Sequence, residues 1–221
     1  MKYNKIVRAE FVKRTNRFIA KVLVDGHEET VHVKNTGRLQ ELFVPGAEVW
    51  LETSDNPARK TKYDLVAVRK GNGILFNIDS QACNKVAGEW LATQGYDYIK
   101  PEYRFGNSRV DFYMEKAGEK YLLEIKGCTL EVDGVGYFPD APTERGVKHL
   151  HELAGAAKDG YHCAVGFVIQ MDGVNEVRPN VATHPEFGDA LAEAKAAGVD
   201  VLMLRCHVEP DELTIVSTEI V

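Results

Sequence analysis

Cysteine is scarce in this 221-residue chain, and what there is lies scattered: Cys83, Cys128, Cys163 and Cys206 form no Cys-x-x-Cys pair. That spacing suggests neither a zinc ribbon nor a dense disulfide framework, and it fits a reducing compartment. No apolar run approaches the roughly 20 residues that a membrane-spanning helix needs. The basic start, MKYNKIVRAEFVKR, lacks the apolar stretch of a secretory signal. A soluble, cytoplasmic protein with no membrane partner is therefore expected. Internal repeats and low-complexity tracts are also missing, which removes repeat arrays and disordered tails from consideration.

Positive charge is in deficit, with 27 basic residues against 33 acidic ones and a net charge of −6. The deficit is uneven. Up to Asp79 there are 14 basic and 10 acidic residues, a balance of +4; beyond it there are 13 and 23, a balance of −10. An acidic protein attracts a polyanion only through local basic surface or bound metal ions. On this count the first part is the place to look for such surface, although +4 over that length also suits ordinary scatter of surface charge.

The same cut divides the patterning. Residues 5–78 read as short apolar or alternating runs: KIVRAEFVKR, RFIAKVLVD, ETVHVK, AEVWLET, YDLVAVRK and GILFNID. Short, closely spaced strands with no helical period between them predict a small barrel or sandwich, and an OB-like β-barrel suits the size. Gly71-Asn72-Gly73 marks a hairpin turn or the exit from the barrel. After Asp79, Ser80 is placed to cap a helix over about Ala82 to Thr93, with Val86, Trp90 and Leu91 inward. Strands at Tyr98 to Phe105 and Arg109 to Tyr113, one ending in Glu124-Ile125-Lys126, and one at Gly134 to Phe138 come next. A helix from Glu144 to Lys158, the strand HCAVGFVIQ, a helix near Pro185 to Ala197 and the strand VDVLMLRCHV complete the chain. CAVGFVIQ is almost wholly apolar, as a strand covered on both faces should be. The reading is α/β plus all-β: a barrel over 1–79 with nucleic-acid binding as its expected role, then a mixed sheet flanked by helices over 80–221. Size allows two domains, and oligomeric state is left open, a homo-oligomer included.

The stretch VDFYMEKAGEKYLLEIKG, 110–127, carries the chemistry. Strand side chains alternate, so Glu124 and Lys126 project to the same side, about 6.6 Å apart along the backbone, and Ile125 points the other way. Two carboxylates and an amine suit hydrolysis at phosphorus, where a hard divalent cation is held by oxygen ligands while keeping water and substrate in its shell. Asp111, Glu124 and the carbonyl of Ile125 are the candidate ligands for Mg²⁺ or Mn²⁺, and Lys126 would steady the attacking water or the charge on the phosphorane. The same spacing also suits an ion pair on a solvated hairpin. Against that stands the apolar run Tyr121, Leu122, Leu123, which makes the strand central, with its charges at a mouth.

Further along, in FPDAPTERGVKHL, Pro139 and Pro142 stiffen the approach to a helix that Thr143 can cap. Arg145 and Lys148 near that helix start oppose its macrodipole, so a phosphate or the Asp111 and Glu124 cluster would account for them; a Glu144–Lys148 pair with Arg145 solvated is the alternative. His149 and His151 face different sides of the helix and read as surface or packing residues. In the first domain Arg14, Arg17, Lys21, Lys34, Asn35, Thr36 and Arg38 are candidates for a phosphate-tracking surface, with Phe18 or Phe43 for stacking. Core packing suits the aromatics equally, and Asn35-Thr36-Gly37 also reads as a turn with Gly37 at positive φ.

Helix, strand, strand with Asp, strand with Glu-x-Lys, helix resembles the PD-(D/E)xK nuclease core. The whole chain resembles the sugar fermentation stimulation protein A family, through NRFIAKV (16–22), VKNTGRL (33–39), SDNPARK (54–60), SRVDF (108–112), EIKGCTL (124–130) and above all FPDAPTERGVKHLHEL (138–153). That resemblance implies an OB-like domain joined to a PD-(D/E)xK nuclease-like domain, DNA as partner, and a regulatory connection to sugar utilisation, maltose in particular. It matches Asp111, Glu124 and Lys126 to the motif acids and lysine, all intact, and adds Glu89 on the first helix as a metal-facing acid. Two functions follow as expectations: a Mg²⁺-dependent nuclease, or a DNA-binding regulator that does not cleave.

Overall fold

The computed structural model describes residues 1–106 and 108–221. Its first part has strands β1 (Ile6–Asn16), β2 (Ile19–Val24), β3 (His27–Val33), β4 (Glu48–Thr53), β5 (Tyr63–Arg69) and β6 (Leu75–Asn77). They pair in the order β3-β2-β1-β4-β5-β6, and a parallel β3–β5 pairing, His32 with Asp64 and Val33 with Leu65, closes the first five into a barrel. Closure removes the sheet edges, and the inward residues of the alternating runs, Phe11, Ala20, Val22, Val31, Val49, Leu51 and Leu65, are fully covered. The expected OB-like barrel is thus observed. Gly71-Asn72-Gly73 makes the β5–β6 hairpin turn, with Gly73 at φ +90°.

The second part comprises α1 (Ala82–Leu91), β7 (Tyr98–Phe105), β8 (Ser108–Lys116), β9 (Glu119–Cys128), β10 (Leu130–Val132), β11 (Val135–Phe138), α2 (Glu144–Lys158), β12 (His162–Ile169), β13 (Val177–Pro179), α3 (Pro185–Ala196), β14 (Val199–Glu209) and β15 (Glu212–Ile220). The main sheet runs β15-β14-β12-β9-β8-β7, with β9, β12 and β14 parallel and the rest antiparallel. Alpha-helix α1 packs on one face over Phe112, Leu123 and Ile125. On the other, α2 and α3 cover Tyr113, Leu122, Val165 and Phe167. The parallel strands are therefore buried on both faces, as their unbroken apolar runs require. Strands β10, β13 and β15 were not expected; β10, β11 and β13 form a separate small sheet.

Two local expectations change. Ser80 does not cap α1: its hydroxyl donates to the Lys34 carbonyl, and Asp79 Oδ1 accepts the Gln81 N–H instead. Gly37 is not at positive φ; it is glycine because a Cβ would lie 2.7 Å from Asp140 Oδ2.

The join between the parts is polar and buried. Asp79, 2 % exposed, accepts from Lys34 Nζ at 2.7 Å and the Tyr3 hydroxyl at 3.2 Å, while Gln170 Nε2 donates to Asn77 Oδ1 at 3.0 Å. Residues 1–3 lie outside the barrel: Lys2 bridges to Glu212, and the Met1 ammonium meets the Leu213 carbonyl and Glu89 Oε2. The chain's start is thus part of the second domain's packing. All four cysteines are free and buried, and among the described residues no helix is long and apolar enough to cross a membrane.

Candidate active site

The β8–β9 ladder runs from the Lys116–Glu119 pair to Phe112–Leu123. One residue beyond, a side chain takes over from the backbone: Asp111 Oδ2 accepts the Ile125 N–H at 2.7 Å, and Oδ1 accepts from Asn84 Nδ2 of α1 at 2.8 Å. The first acid is thereby fixed against the strand that carries the second. On β9 the alternation works as expected. Lys126 Nζ is 2.7 Å from Glu124 Oε1, while Ile125 packs towards α1. Gly127 follows because α1 presses on the strand there: a Cβ would stand 2.5 Å from Cys83 Sγ and 2.6 Å from Gln170 Oε1.

The structure adds a residue that the sequence reading placed elsewhere. His149 of α2 is buried, and its Nδ1 is hydrogen-bonded to Glu124 Oε1. Lys126 Nζ lies 3.4 Å from the same nitrogen, and Arg145 Nε donates to His149 Nε2 at 3.3 Å. With Nε2 accepting, the ring carries its hydrogen on Nδ1 and donates it to the carboxylate. Thr143 starts the helix as expected, its hydroxyl accepting the Gly146 N–H at 3.1 Å. That start puts residues 145 and 149, one turn apart, over β9. His151 is exposed beside Glu193, as a surface residue should be. The helical period sets the two histidines on different sides of α2, and position 149, one turn from Arg145 and next to inward Leu150, falls on the side that faces β9.

The two carboxylates differ electrostatically. Burial pushes Glu124 up, but hydrogen bonds from His149 and Lys126 outweigh it and hold the group below the usual carboxylate range. Asp111 is held above that range, by burial first and by the Glu124 charge second, with the Ile125 N–H and Asn84 compensating only in part. An under-compensated buried carboxylate beside an ionised one is a place where a divalent cation fits. Among the described residues no three His, Cys, Asp or Glu side chains form a metal-holding group. The set is two carboxylates and the Ile125 carbonyl, all hard oxygen donors, which suits an ion that keeps several waters.

Glu89 does not join them. It pairs with the Met1 ammonium at 2.8 Å, and Asn84, more than a turn earlier on α1, is the residue that meets Asp111. Within the barrel, most candidate nucleic-acid contacts are used internally. Arg14 donates to the carbonyls of Gly37, Arg38, Arg17 and Asn35 at 2.7–2.9 Å. Lys34 is paired with Asp79, Lys21 bonds Thr30 and Glu28, and Asn35 bonds the Ile78 carbonyl and the Gly37 N–H. Phe43 stacks on Phe11 with ring centroids 5.0 Å apart, whereas Phe18 is 51 % exposed. Arg17, Thr36 and Arg38 are exposed, around a depression of about 500 Å³ shared with Ala141 and Pro142. Arg145 and Lys148 are exposed on the other side of the site. Lys148 pairs with Glu152 at 3.6 Å, not with Glu144.

Comparison with known proteins agrees with this layout. The SfsA N-terminal OB domain family matches residues 12–78, and the sugar fermentation stimulation protein RE domain family matches residues 80–212. A sugar fermentation stimulation protein homolog of Desulfitobacterium hafniense (strain DSM 10664 / DCB-2) is 52 % identical over 217 residues, covering 96 % of this chain and 94 % of its own. One of Clostridium beijerinckii is 51 % identical, covering 97 % and 96 %. The structure of Pyrococcus furiosus SfsA in complex with Ca²⁺ superposes with a TM-score of 0.85 at 28 % identity, over 100 % of this chain and 95 % of that one. With both domains matched in order and relatives at about half identity over nearly the whole length, the chain belongs to the sugar fermentation stimulation protein family.

Proposed function

We propose that this protein is a divalent-metal-dependent phosphodiesterase acting on DNA. The observation that carries the reading is the convergence of Asp111, Glu124 and Lys126 at one end of two adjacent strands, with Glu124 ionised and Asp111 short of positive charge. Asp111, Glu124 and the Ile125 carbonyl would hold Mg²⁺ or Mn²⁺. Bound there, the ion would supply Lewis-acid stabilisation of charge at a phosphoryl oxygen. That SfsA of Pyrococcus furiosus was solved in complex with Ca²⁺ supports a divalent cation as the ion here.

The chain's own residues divide the remaining work. Lys126 has three donors and gives one to Glu124, which leaves the others for an attacking water or the developing phosphorane charge. His149 fixes the Glu124 carboxylate, and Asn84 with the Ile125 N–H fixes Asp111. Preorganised groups of this kind do not need to reorganise during the reaction.

One observation favours a second reading, a DNA-binding regulator of sugar (maltose) metabolism that does not cleave: Glu124 Oε1 is already satisfied by Lys126 and His149. Incubating the protein with linear, circular and single-stranded DNA in Mg²⁺ and in Mn²⁺ separates the two. Cleavage by the wild type, lowered about a thousand-fold in Glu124→Ala and in Lys126→Ala, is the expected outcome. DNA binding without cleavage by any of the three proteins favours the regulator.

A further inference from the structure

We infer that nucleic acid is gripped by the second domain, in a phosphate-binding cleft walled by Arg104 and Arg109 of the β7–β8 hairpin and by Arg145 and Lys148 of α2. The cleft measures about 450 Å³, is completed by Ser108, and has His149 on its lining. All four cationic side chains are exposed, so their charges are presented to solvent. The domain around them carries 13 basic residues against 23 acidic ones, and four of those 13 meet here. Two carboxylates stand at the rim, Glu102 at 3.3 Å from Arg109 and Glu152 at 3.6 Å from Lys148. Among the described residues Arg104 and Arg145 have no carboxylate within ion-pair distance.

A phosphate suits this cleft on two physical grounds. Arg145 and Lys148 occupy the first two turns of a 15-residue helix, where the macrodipole disfavours cations, so their placement costs helix stability unless an anion sits with them. An anion in that position gains from the helix end and from the guanidinium groups together. Arg145 also donates to His149, which donates to Glu124, so the cleft opens onto the acid pair through one side chain. A phosphate there would be a neighbour of the one under attack.

Arg14, Lys34 and Asn35 of the barrel are engaged within the protein and contribute nothing to the grip. Only Arg17 and Arg38 remain on that side as exposed cations of the candidate set.

The inference takes from the proposed function only the identity of the polyanion. Its test is fluorescence anisotropy with labelled single-stranded and duplex DNA in EDTA, repeated from 50 to 200 mM salt. Each phosphate contact contributes about 0.7–0.9 to the slope of log affinity on log salt. The Arg104→Ala/Arg109→Ala double variant should lower that slope by roughly 1.5 and weaken binding at least about ten-fold at 50 mM salt. Arg145→Ala should lower the slope by about one. Arg17→Ala/Arg38→Ala should change it less than the hairpin pair does. An unchanged slope in the hairpin variant, a larger loss in the Arg17/Arg38 variant, or no wild-type binding at 50 mM salt would each overturn the inference. Slopes that fall as expected in a protein that never cleaves DNA would sink the enzyme reading and leave the cleft standing.

Discussion

Arg14 in the barrel and Arg145 on α2 are the same residue type put to opposite uses. The Arg14 guanidinium lies 5.0 Å from the Phe43 ring centroid and donates to four backbone carbonyls between Arg17 and Arg38. It organises the turn that carries Asn35-Thr36-Gly37. Arg145 is exposed, contacts one neighbour, His149, and otherwise faces a cleft. The difference teaches that formal charge counted along the chain does not say which cations are engaged within the protein and which stand free at its surface. Arg14 and Lys34 of the +4 half are spent on backbone carbonyls and on the domain join, whereas Arg104, Arg109, Arg145 and Lys148 of the −10 half stand exposed around one cleft.

Swapping the burden of the two residues is the sharpest way to break this comparison. Arg14→Ala removes four charge-assisted hydrogen bonds and should cost roughly 2–4 kcal/mol of stability, with DNA affinity unchanged where the protein remains folded. Arg145→Ala should shift stability by no more than about 0.5 kcal/mol and weaken DNA binding. Urea melts beside anisotropy titrations of the two variants check this. A stable Arg14→Ala protein that loses DNA would put the grip back on the barrel.

A smaller effect tests the join. Glu131, buried beside Lys70 of the barrel, has Lys70 Nζ at 2.5 Å and the Gly134 N–H at 2.6 Å. Burial raises its pKa, but these partners outweigh it and the group sits below the usual carboxylate range. A lowered folded-state pKa means stability that is present above the unfolded value and lost as pH falls through the folded one. Glu131→Gln should therefore lower the urea midpoint at pH 7, and the gap from wild type should close as the pH falls from the ordinary carboxylate range through the lowered folded-state value. A gap that persists in acid would show that the loss is one of packing.

How much of this was legible in the sequence follows from what each signal depends on. The barrel and the Glu124–Lys126 pair rest on strand alternation, a local property, and both emerged where the pattern put them. Glu89 was misassigned because the competing partner, the Met1 ammonium, is far away in sequence and reaches α1 only through the final hairpin. His149 was missed for the same reason: a buried histidine looks like a packing residue until β9 is placed beneath it. Strand β15 has few buried positions beyond Leu213, so its pattern is weak, although Pro210-Asp211 marks a turn before it. Arg104 and Arg109 carry no pattern at all. Only the cleft that the hairpin makes with α2 distinguishes them from solvated charge.

Lys148 gives the mildest version of the comparison. It pairs with Glu152 one turn on, at 3.6 Å with its side chain 58 % exposed, an arrangement worth only a few tenths of a kcal/mol. It also stands near the start of α2, where removing a cation relieves an unfavourable interaction of similar size. The two effects oppose each other, so Lys148→Ala should leave the melting temperature within about 2 °C of wild type. Its salt slope for DNA should fall by less than one, because the ammonium is a single, flexible point charge shared with a carboxylate. Measured side by side with Arg145→Ala, a slope change as large as that of the arginine would mean that Lys148, despite its rim carboxylate, contacts phosphate as fully as the unpaired guanidinium does, and that the cleft is tuned by charge alone and not by planar recognition.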